Sequence, residues 1–560
     1  MKNKSFILIA MSYFAIAHSC FTQTTQPISI SIDFSKKGEP YRPIWAWFGY
    51  DEPNYTYMKD GKKLLSDIAA FAKRPVYVRA HSLLSSGDGT PALKWGSTNI
   101  YTENTEGVPI YSWRIVDSIF DTYIQRKMKP LVQLGFMPKA LSTHPEPYQH
   151  DWKPGEPYQK IITGWAYPPK DYKKWGDLAY EWTKHCVERY GKAEVESWYW
   201  EVWNEADGAY WKGTWEEFHK LYDYAADGVK RALPTAKIGG CNVTGGGMKF
   251  QKAFLDHCLY EKNYVTGKMG SPLDIVLFHA KGSPKIVNGR VVMSIKNQLV
   301  NIDNNLKLIA SYPELKDKPI IIGESDPEGC AACGMSTNPE NAYRNGTMYS
   351  SYTAASFARK FELMDKYNSN LIGAVSWSFE FENQPWFAGF RDLATNGVHK
   401  PVLNVFKMFA MMKGNIIPTQ NAAQYALQTV LDSSIRNNTD IGTFVTQSDR
   451  SAAIMIWNYH DKDSLMQSVN VTLQLKNLGI PAATLTHYRI DANHSNSYEY
   501  WKKIGSPQQP TDEQIKALVK SAALQTFQGQ KPTKIKLNNK GTDYTVSLPS
   551  QAVSLLYLSW

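Results

Sequence analysis

The 560 residues are 43% hydrophobic and 20% charged, enough apolar material to bury a sizeable core, which excludes the disordered and low-complexity classes. The formal net charge of +10 is spread along the chain without a block of like charges, so nucleic-acid binding gains no support from it. Aromatic residues reach 13%; they stabilise cores and also form the flat platforms on which sugar rings stack.

At the N-terminus, Lys2 and Lys4 precede an apolar run from Phe6 to Ala17, and Ala17-His18-Ser19 offers small residues at the cleavage positions. This layout predicts a secretory signal peptide over residues 1–20, too short for a spanning helix. Cys20 stands where a bacterial lipoprotein would be acylated, although Ala17 and His18 fit that pattern poorly. No other long apolar run follows, so no transmembrane segment is expected and the protein is read as exported, periplasmic or secreted. Within residues 21–40, Ile28-Ser29-Ile30-Ser31-Ile32 alternates as a half-buried strand does. It is expected to pair with a sheet at the other end of the chain.

Residues 41–412 alternate short β-rich runs with helical stretches. Eight runs stand out: Ile44–Phe48, Val76–His81, Pro130–Phe136, Trp198–Trp203, Ile238–Val243, Ile275–Ala280, Pro319–Gly323 and Leu371–Phe379. They are apolar without clean alternation, as when both faces of a parallel strand are buried. Between them lie helical segments such as Leu64–Lys73, Ile115–Arg126, Asp171–Tyr190 and Trp215–Arg231, the last opened by a capping box at Thr214 and Glu217. Eight strands alternating with helices predict an α/β fold, a (β/α)8 TIM barrel. A doubly wound open sheet would want a glycine-rich turn after its first strand, and Phe48-Gly49-Tyr50-Asp51-Glu52-Pro53 is not one. Cys330-Ala331-Ala332-Cys333 has metal or redox spacing, but no second pair of ligands follows, so a local disulfide in an oxidising compartment is the expectation.

Residues 413–560 change texture. Val469–Leu475 and Tyr544–Leu548 alternate strictly, Ala452–Trp457 and Ala552–Leu558 are further strands, and a helix is expected near Asp512–Leu524. One wet and one buried face per strand predict a C-terminal antiparallel β-sandwich.

The chemistry concentrates at the ends of the barrel runs. Trp198-Tyr199-Trp200-Glu201-Val202-Trp203-Asn204-Glu205 closes the fourth run with a carboxylate, and Pro319-Ile320-Ile321-Ile322-Gly323-Glu324 closes the seventh with another. On the fourth and seventh strands of eight, the two face each other across the barrel mouth. Facing carboxylates at sugar scale suit glycoside hydrolysis, one protonating the leaving oxygen and the other attacking the anomeric carbon. Glu328, four residues past Glu324 and beyond Pro327, competes for the nucleophile role but should project from its loop. Glu380 and Glu382, which alternate with Phe379 and Phe381 after the eighth run, are candidate contacts for substrate hydroxyls, and Asp51 and Glu52 after the first run divide between binding and loop structure.

Trp-Asn-Glu and Gly-Glu at these two strand ends resemble the clan A glycoside hydrolases. Longer stretches narrow the resemblance to glycoside hydrolase family 39, the β-xylosidase and α-L-iduronidase family: Phe48–Asn54, Val78–His81, Leu134-Gly135-Phe136-Met137-Pro138, Glu201–Glu205 and Gly323–Gly329. The resemblance implies a retaining, exo-acting glycosidase with Glu205 as acid/base and Glu324 as nucleophile. It implies that Asn204 holds the sugar 2-hydroxyl and that Arg79 keeps the nucleophile ionised. His81, Phe136 and His279 would line the subsite of the cleaved sugar, and Trp377 would floor its ring. No metal or cofactor is implied, and the partner is a carbohydrate. Other sugars of the same scale (arabinosyl, galactosyl, uronic acid residues) compete with xylose, and the rival class is a non-catalytic glycan-binding protein.

Overall fold

The computed structural model describes residues 28–463, 468–538 and 541–560; the expected signal peptide and Cys20 lie outside the described residues. A ring of parallel strands forms the centre. In chain order these are β1 (Trp47–Tyr50), β2 (Tyr77–Ala80), β3 (Lys129–Leu134), β4 (Tyr199–Val202), β5 (Lys237–Val243), β6 (Ile275–His279), β7 (Ile320–Glu324), β8 (Leu371–Ala374) and the two-residue β9 (Ser376–Trp377). They line up as β8-β7-β6-β5-β4-β3-β2-β1-β9. Because β9 follows β8 after one residue, its pairing with β1 (Ser376 opposite Phe48, Trp377 opposite Gly49) closes the ring. The eighth run is therefore not one strand to Phe379. It breaks at Val375, where the chain changes partner from β7 to β1, and ends at Trp377. The first strand also starts later than its apolar content suggests, because Pro43 to Ala46 is taken up in a turn with Ala46 N–H donating to Pro43 O at 2.9 Å.

Helices α1 (Lys59–Ala72), α2 (Arg114–Ile124), α3 (Tyr172–Tyr190), α4 (Trp215–Ala232), α5 (Met248–Tyr260), α6 (Ile295–Ala310), α7 (Thr347–Tyr367) and α8 (Pro401–Met411) follow the strands and wrap the ring. The structure is thus the expected (β/α)8 barrel. The Thr214–Glu217 capping box forms as read: the Thr214 hydroxyl accepts from Glu217 N–H, and the Glu217 carboxylate accepts from Thr214 N–H. Strand residues that point inward (Trp47, Leu131, Ile275, Leu277, Ile321 and Trp377) meet as a separate apolar cluster inside the ring, so the barrel is packed through and ligands are confined to its ends.

Beyond the barrel, two sheets stack. The smaller has Ile28–Asp33 between Thr419–Asn421 and Val469–Lys476, with Thr542–Leu548 outermost. The N-terminal strand does pair with the C-terminal sheet, antiparallel to Thr419–Asn421 and parallel to Val469–Lys476. The larger sheet is built on Asp440–Ser448, Ser451–Tyr459, Val553–Ser559 and Ala482–Ile490, all paired antiparallel. Ile30, Ile32, Val471 and Leu473 of the first sheet share one cluster with Ile454, Ile456 and Leu556 of the second, which makes the pair a sandwich. Ser451–Tyr459 is buried along its whole length for a reason alternation exposes. Ala452, Ile454 and Ile456 face the sandwich, whereas Ala453, Met455, Trp457 and Tyr459 belong to the barrel's core. Arg359 on α7 adds a buried ion pair to Asp440 at 3.2 Å.

Candidate active site

The C-terminal ends of the strands carry the polar cluster. After β4 the chain runs through Trp203 (φ 66°) and Glu205 (φ 46°), left-handed conformations that non-glycine residues rarely adopt. They are held by Trp203 N–H to Leu134 O at 3.0 Å and Glu205 N–H to Asn242 O at 3.0 Å. Backbone strain maintained by its surroundings in this way is a mark of functional sites. Here it presents Glu205 over the mouth, its side chain 19% exposed. Glu324 is the last residue of β7 and is buried. Gly323 before it leaves room for a neighbour: a Cβ there would lie 2.2 Å from Asn242 Oδ1.

Arg79, fully buried on β2, organises the floor. Its Nε donates to Glu201 Oε1 at 2.6 Å, its Nη2 to Asn204 Oδ1 at 2.9 Å and its Nη1 to Glu324 Oε1 at 3.1 Å. Glu201 is fixed in turn by Gln133 Nε2 at 3.2 Å and by the Asn242 amide. The guanidinium plane also lies over the Trp377 indole, 4.8 Å from its centroid. A cation that forks to three separate acceptors while lying over an indole needs arginine and not lysine. The Trp377 ring depends on Gly49 next to it on β1, where a Cβ would fall 2.4 Å from the indole and 2.9 Å from Arg79 O.

Two histidines and a lysine complete the surround of Glu324. His81 Nε2 lies 3.4 Å from Glu324 Oε1, and its Nδ1 pairs with Asp51 at 2.7 Å. His279 Nδ1 lies 2.9 Å from Glu205 Oε1 and 3.8 Å from Glu324 Oε1. Lys281 Nζ contacts Glu324 Oε2 at 2.5 Å and Asp326 at 3.3 Å. Burial pushes the Glu324 carboxyl up, but the Lys281 ammonium, with His279 and His81, outweighs that and holds it well below the usual carboxylate range. Glu205, His279 and Glu324 each offer an atom within 4.8 Å of the others, a spacing at which a metal could be held. The cations of Arg79 and Lys281 already on Glu324 oppose a further positive charge there.

Beside His81 lies a recess lined by Asp51, Lys94, Trp95, Phe136, Trp165 and Tyr210. Phe136 packs edge-on to His81 at 5.6 Å and against Trp165 at 4.3 Å. Lys94 reaches in to pair with Asp51, whose carboxyl is held low despite burial by Lys94 and His81. Glu52, buried next to Asp51, is pushed up to about 8 by burial and by that neighbouring charge, and it accepts from Lys94 N–H at 2.8 Å.

The structure thus brings Glu205, Glu324, Asn204, Arg79, His81, His279, Phe136 and Trp377 together. Glu382 lies apart from this cluster: its Oε2 accepts from Asp60 N–H at 2.9 Å, satisfying a free donor in the first turn of α1. Glu328 is likewise committed, ion-paired to Arg344 at 3.2 Å and Arg391 at 3.0 Å, and it does not project from its loop. Cys330 and Cys333 are joined in the expected disulfide. Three contributors escaped the sequence reading. Glu201 had a signal, since a carboxylate inside an apolar strand must find a partner. Lys281, two residues past His279, and Lys94, in the loop after β2, had none beyond proximity to strand ends.

The model of the glycosyl hydrolases family 39 matches residues 28–536. The chain is 25% identical over 524 residues to a β-xylosidase of Caldicellulosiruptor saccharolyticus, covering 89% of this chain and 92% of that one. It is 24% identical over 531 residues to the α-L-iduronidase of Mus musculus, covering 88% and 75%. The crystal structure of a monomeric β-xylosidase from Caulobacter crescentus superposes with a TM-score of 0.73 at 19% identity, covering 95% of this chain and 99% of that one.

Proposed function

The chain belongs to glycosyl hydrolases family 39 and is a glycoside hydrolase; from that premise we propose that it releases terminal sugars, β-xylosyl residues first, by a retaining double displacement between Glu205 and Glu324. The observation that carries this reading is the approach of the two carboxylates, with an oxygen of each within 4.8 Å of the other. Retaining enzymes keep their carboxyl groups ~5–5.5 Å apart, and inverting ones need ~6.5–9.5 Å to admit a water.

In the first step Glu205 gives its proton to the glycosidic oxygen while the ionised Glu324 attacks the anomeric carbon, and the aglycone leaves. In the second, the Glu205 carboxylate takes a proton from water, whose oxygen displaces Glu324 from the sugar and regenerates both groups. Asn204, its carbonyl oxygen occupied by Arg79, has its amide hydrogens free to bind the 2-hydroxyl where contacts tighten in the transition state. Exo action is supported by the wall that Lys94, Trp95 and Phe136 build beside His81, against which a sugar end would stop.

Hydrolysis of an aryl β-D-xyloside followed by proton NMR should show β-xylose as the first product, which then mutarotates; α-xylose appearing first would overturn retention. A second reading, a terminal uronosyl residue, is favoured by Lys281, whose ammonium lies against Glu324 and Asp326 and would pair with a sugar carboxylate. Turnover of an aryl uronide with none of the xyloside would select it.

Lys281 also makes a pH prediction. Glu324 is held low chiefly by this ammonium acting against burial, so Lys281→Met leaves burial opposed only by the weaker partners and raises its pKa. Since the nucleophile must be ionised, the acidic limb of the kcat/KM profile should move up by about one to three pH units. An unmoved limb would mean that the lysine does not set this ionisation.

A further inference from the structure

We propose that the protein carries a divalent transition-metal site, of the kind that takes Zn2+, on the outside of the barrel between α4 and α5, formed by His219, His257 and Glu261. A ring nitrogen of each histidine and a carboxylate oxygen of Glu261 lie within 4.8 Å of one another. Two imidazoles and a carboxylate are a donor set suited to a four-coordinate zinc-class ion, with water in the remaining position.

Helix spacing assembles the site. His219 and Asp223 stand four residues apart on α4; His257 is in the last turn of α5, and Glu261 follows four residues later as its cap. Residues so spaced share one face, so each helix contributes a pair. His257 Nε2 faces both Asp223 oxygens at 3.1 Å. That carboxylate also accepts from Tyr264 N–H at 2.7 Å and from the Ser271 hydroxyl at 2.5 Å, so its orientation is fixed from three sides. A carboxylate on one imidazole nitrogen sets the tautomer that leaves the other as a metal ligand. That other nitrogen, His257 Nδ1, lies 3.1 Å from Glu261 Oε2. Ligand atoms at ~2.0–2.1 Å from a tetrahedral zinc sit about 3.3 Å apart, so this pair is already near metal-bound separation.

His219 supplies the independent observation. It is only 8% exposed and its Nε2 is buried without a hydrogen-bond partner; its ring lies nearly parallel to His257 with centroids 4.5 Å apart and would turn to bring a nitrogen to the ion. An orphaned buried imidazole nitrogen costs free energy unless something coordinates it. The Glu261 side chain is 57% exposed, which gives the ion an entry path. The site has no contact with Glu205 or Glu324, and its effect is to fasten the segment after α5 to α4.

Titration of the full protein with Co2+ should give visible d–d absorption that saturates near one equivalent, and Zn2+ should displace it and raise Tm. Glu261→Gln and His219→Gln should each weaken Co2+ binding about tenfold or more while hydrolysis stays unchanged. Glu261→Gln, at an exposed position, keeps the test valid if the His219 variant folds poorly. Because Glu205, His279 and Glu324 have a similar spacing, the same titration is run on Glu324→Gln, which should bind Co2+ as the parent does. No saturable absorption, absorption unchanged in Glu261→Gln, or absorption lost in Glu324→Gln would each overturn the proposal.

Discussion

Glu324→Ala should lose turnover by roughly 10^4–10^6-fold on every substrate, whatever its leaving group. Without the carboxylate no glycosyl-enzyme can form, and a better aglycone does not replace the missing bond. The loss should be in kcat and kcat/KM together, since the group acts in the chemical step. Removing the charge also takes one of two carboxylate partners from Arg79 and from Lys281, which keep Glu201 and Asp326. Glu324→Gln, which removes the charge but keeps the shape, separates that loss from the loss of packing, with the folding of both variants monitored by circular dichroism and Tm. Near-normal turnover in both variants would remove Glu324 from the mechanism.

Glu205→Ala should behave differently in kind. A sugar or alcohol leaving group needs protonation, so natural substrates should slow by about 10^2–10^4-fold, whereas a nitrophenolate departs unaided and its loss should be much smaller. The second step still lacks its base, and the glycosyl-enzyme should accumulate as a burst. Added azide, which needs no base, should restore turnover and give a glycosyl azide of the substrate's own anomeric configuration. Loss independent of the leaving group, with no azide rescue, would exchange the two assigned roles.

Both carboxylates were legible from the sequence because a barrel places strand ends at its mouth, and strand ends can be counted from apolar runs. Arg79 and Asn204 were legible for the same reason, each lying at or just past a strand end. The partners that tune them were not. Lys94 meets Asp51 only because the loop after β2 folds back over the mouth, a pairing of residues far apart in the chain that no local spacing announces. The partner of Glu382 was hidden as well, because its alternation with phenylalanines says nothing of Asp60, whose N–H donates to it. The break at Val375 was equally invisible: it exists because the last strand must satisfy two neighbours at the closure of the ring, and ring closure is a property of the whole barrel. Ser451–Tyr459 shows the converse. Its unbroken apolar character was read as one more sandwich strand, when the absence of alternation already signalled two buried faces.

That doubly buried strand and the placement of Ile28–Asp33 beside Val469–Lys476 set a condition on the order of events during biosynthesis. The first described strand finds its parallel neighbour more than four hundred residues later, so it must wait, with an open edge, until nearly all of the chain has emerged. The barrel, though finished in sequence by α8, would meanwhile lack the Met455 and Trp457 side chains that cover its outer core. Such long-range closures slow folding and prolong exposure of apolar surface. Translation and folding should therefore be separable here: a ribosome-bound chain arrested after α8 should remain protease-sensitive, and resistance should appear only once Val553–Ser559 is free of the exit tunnel.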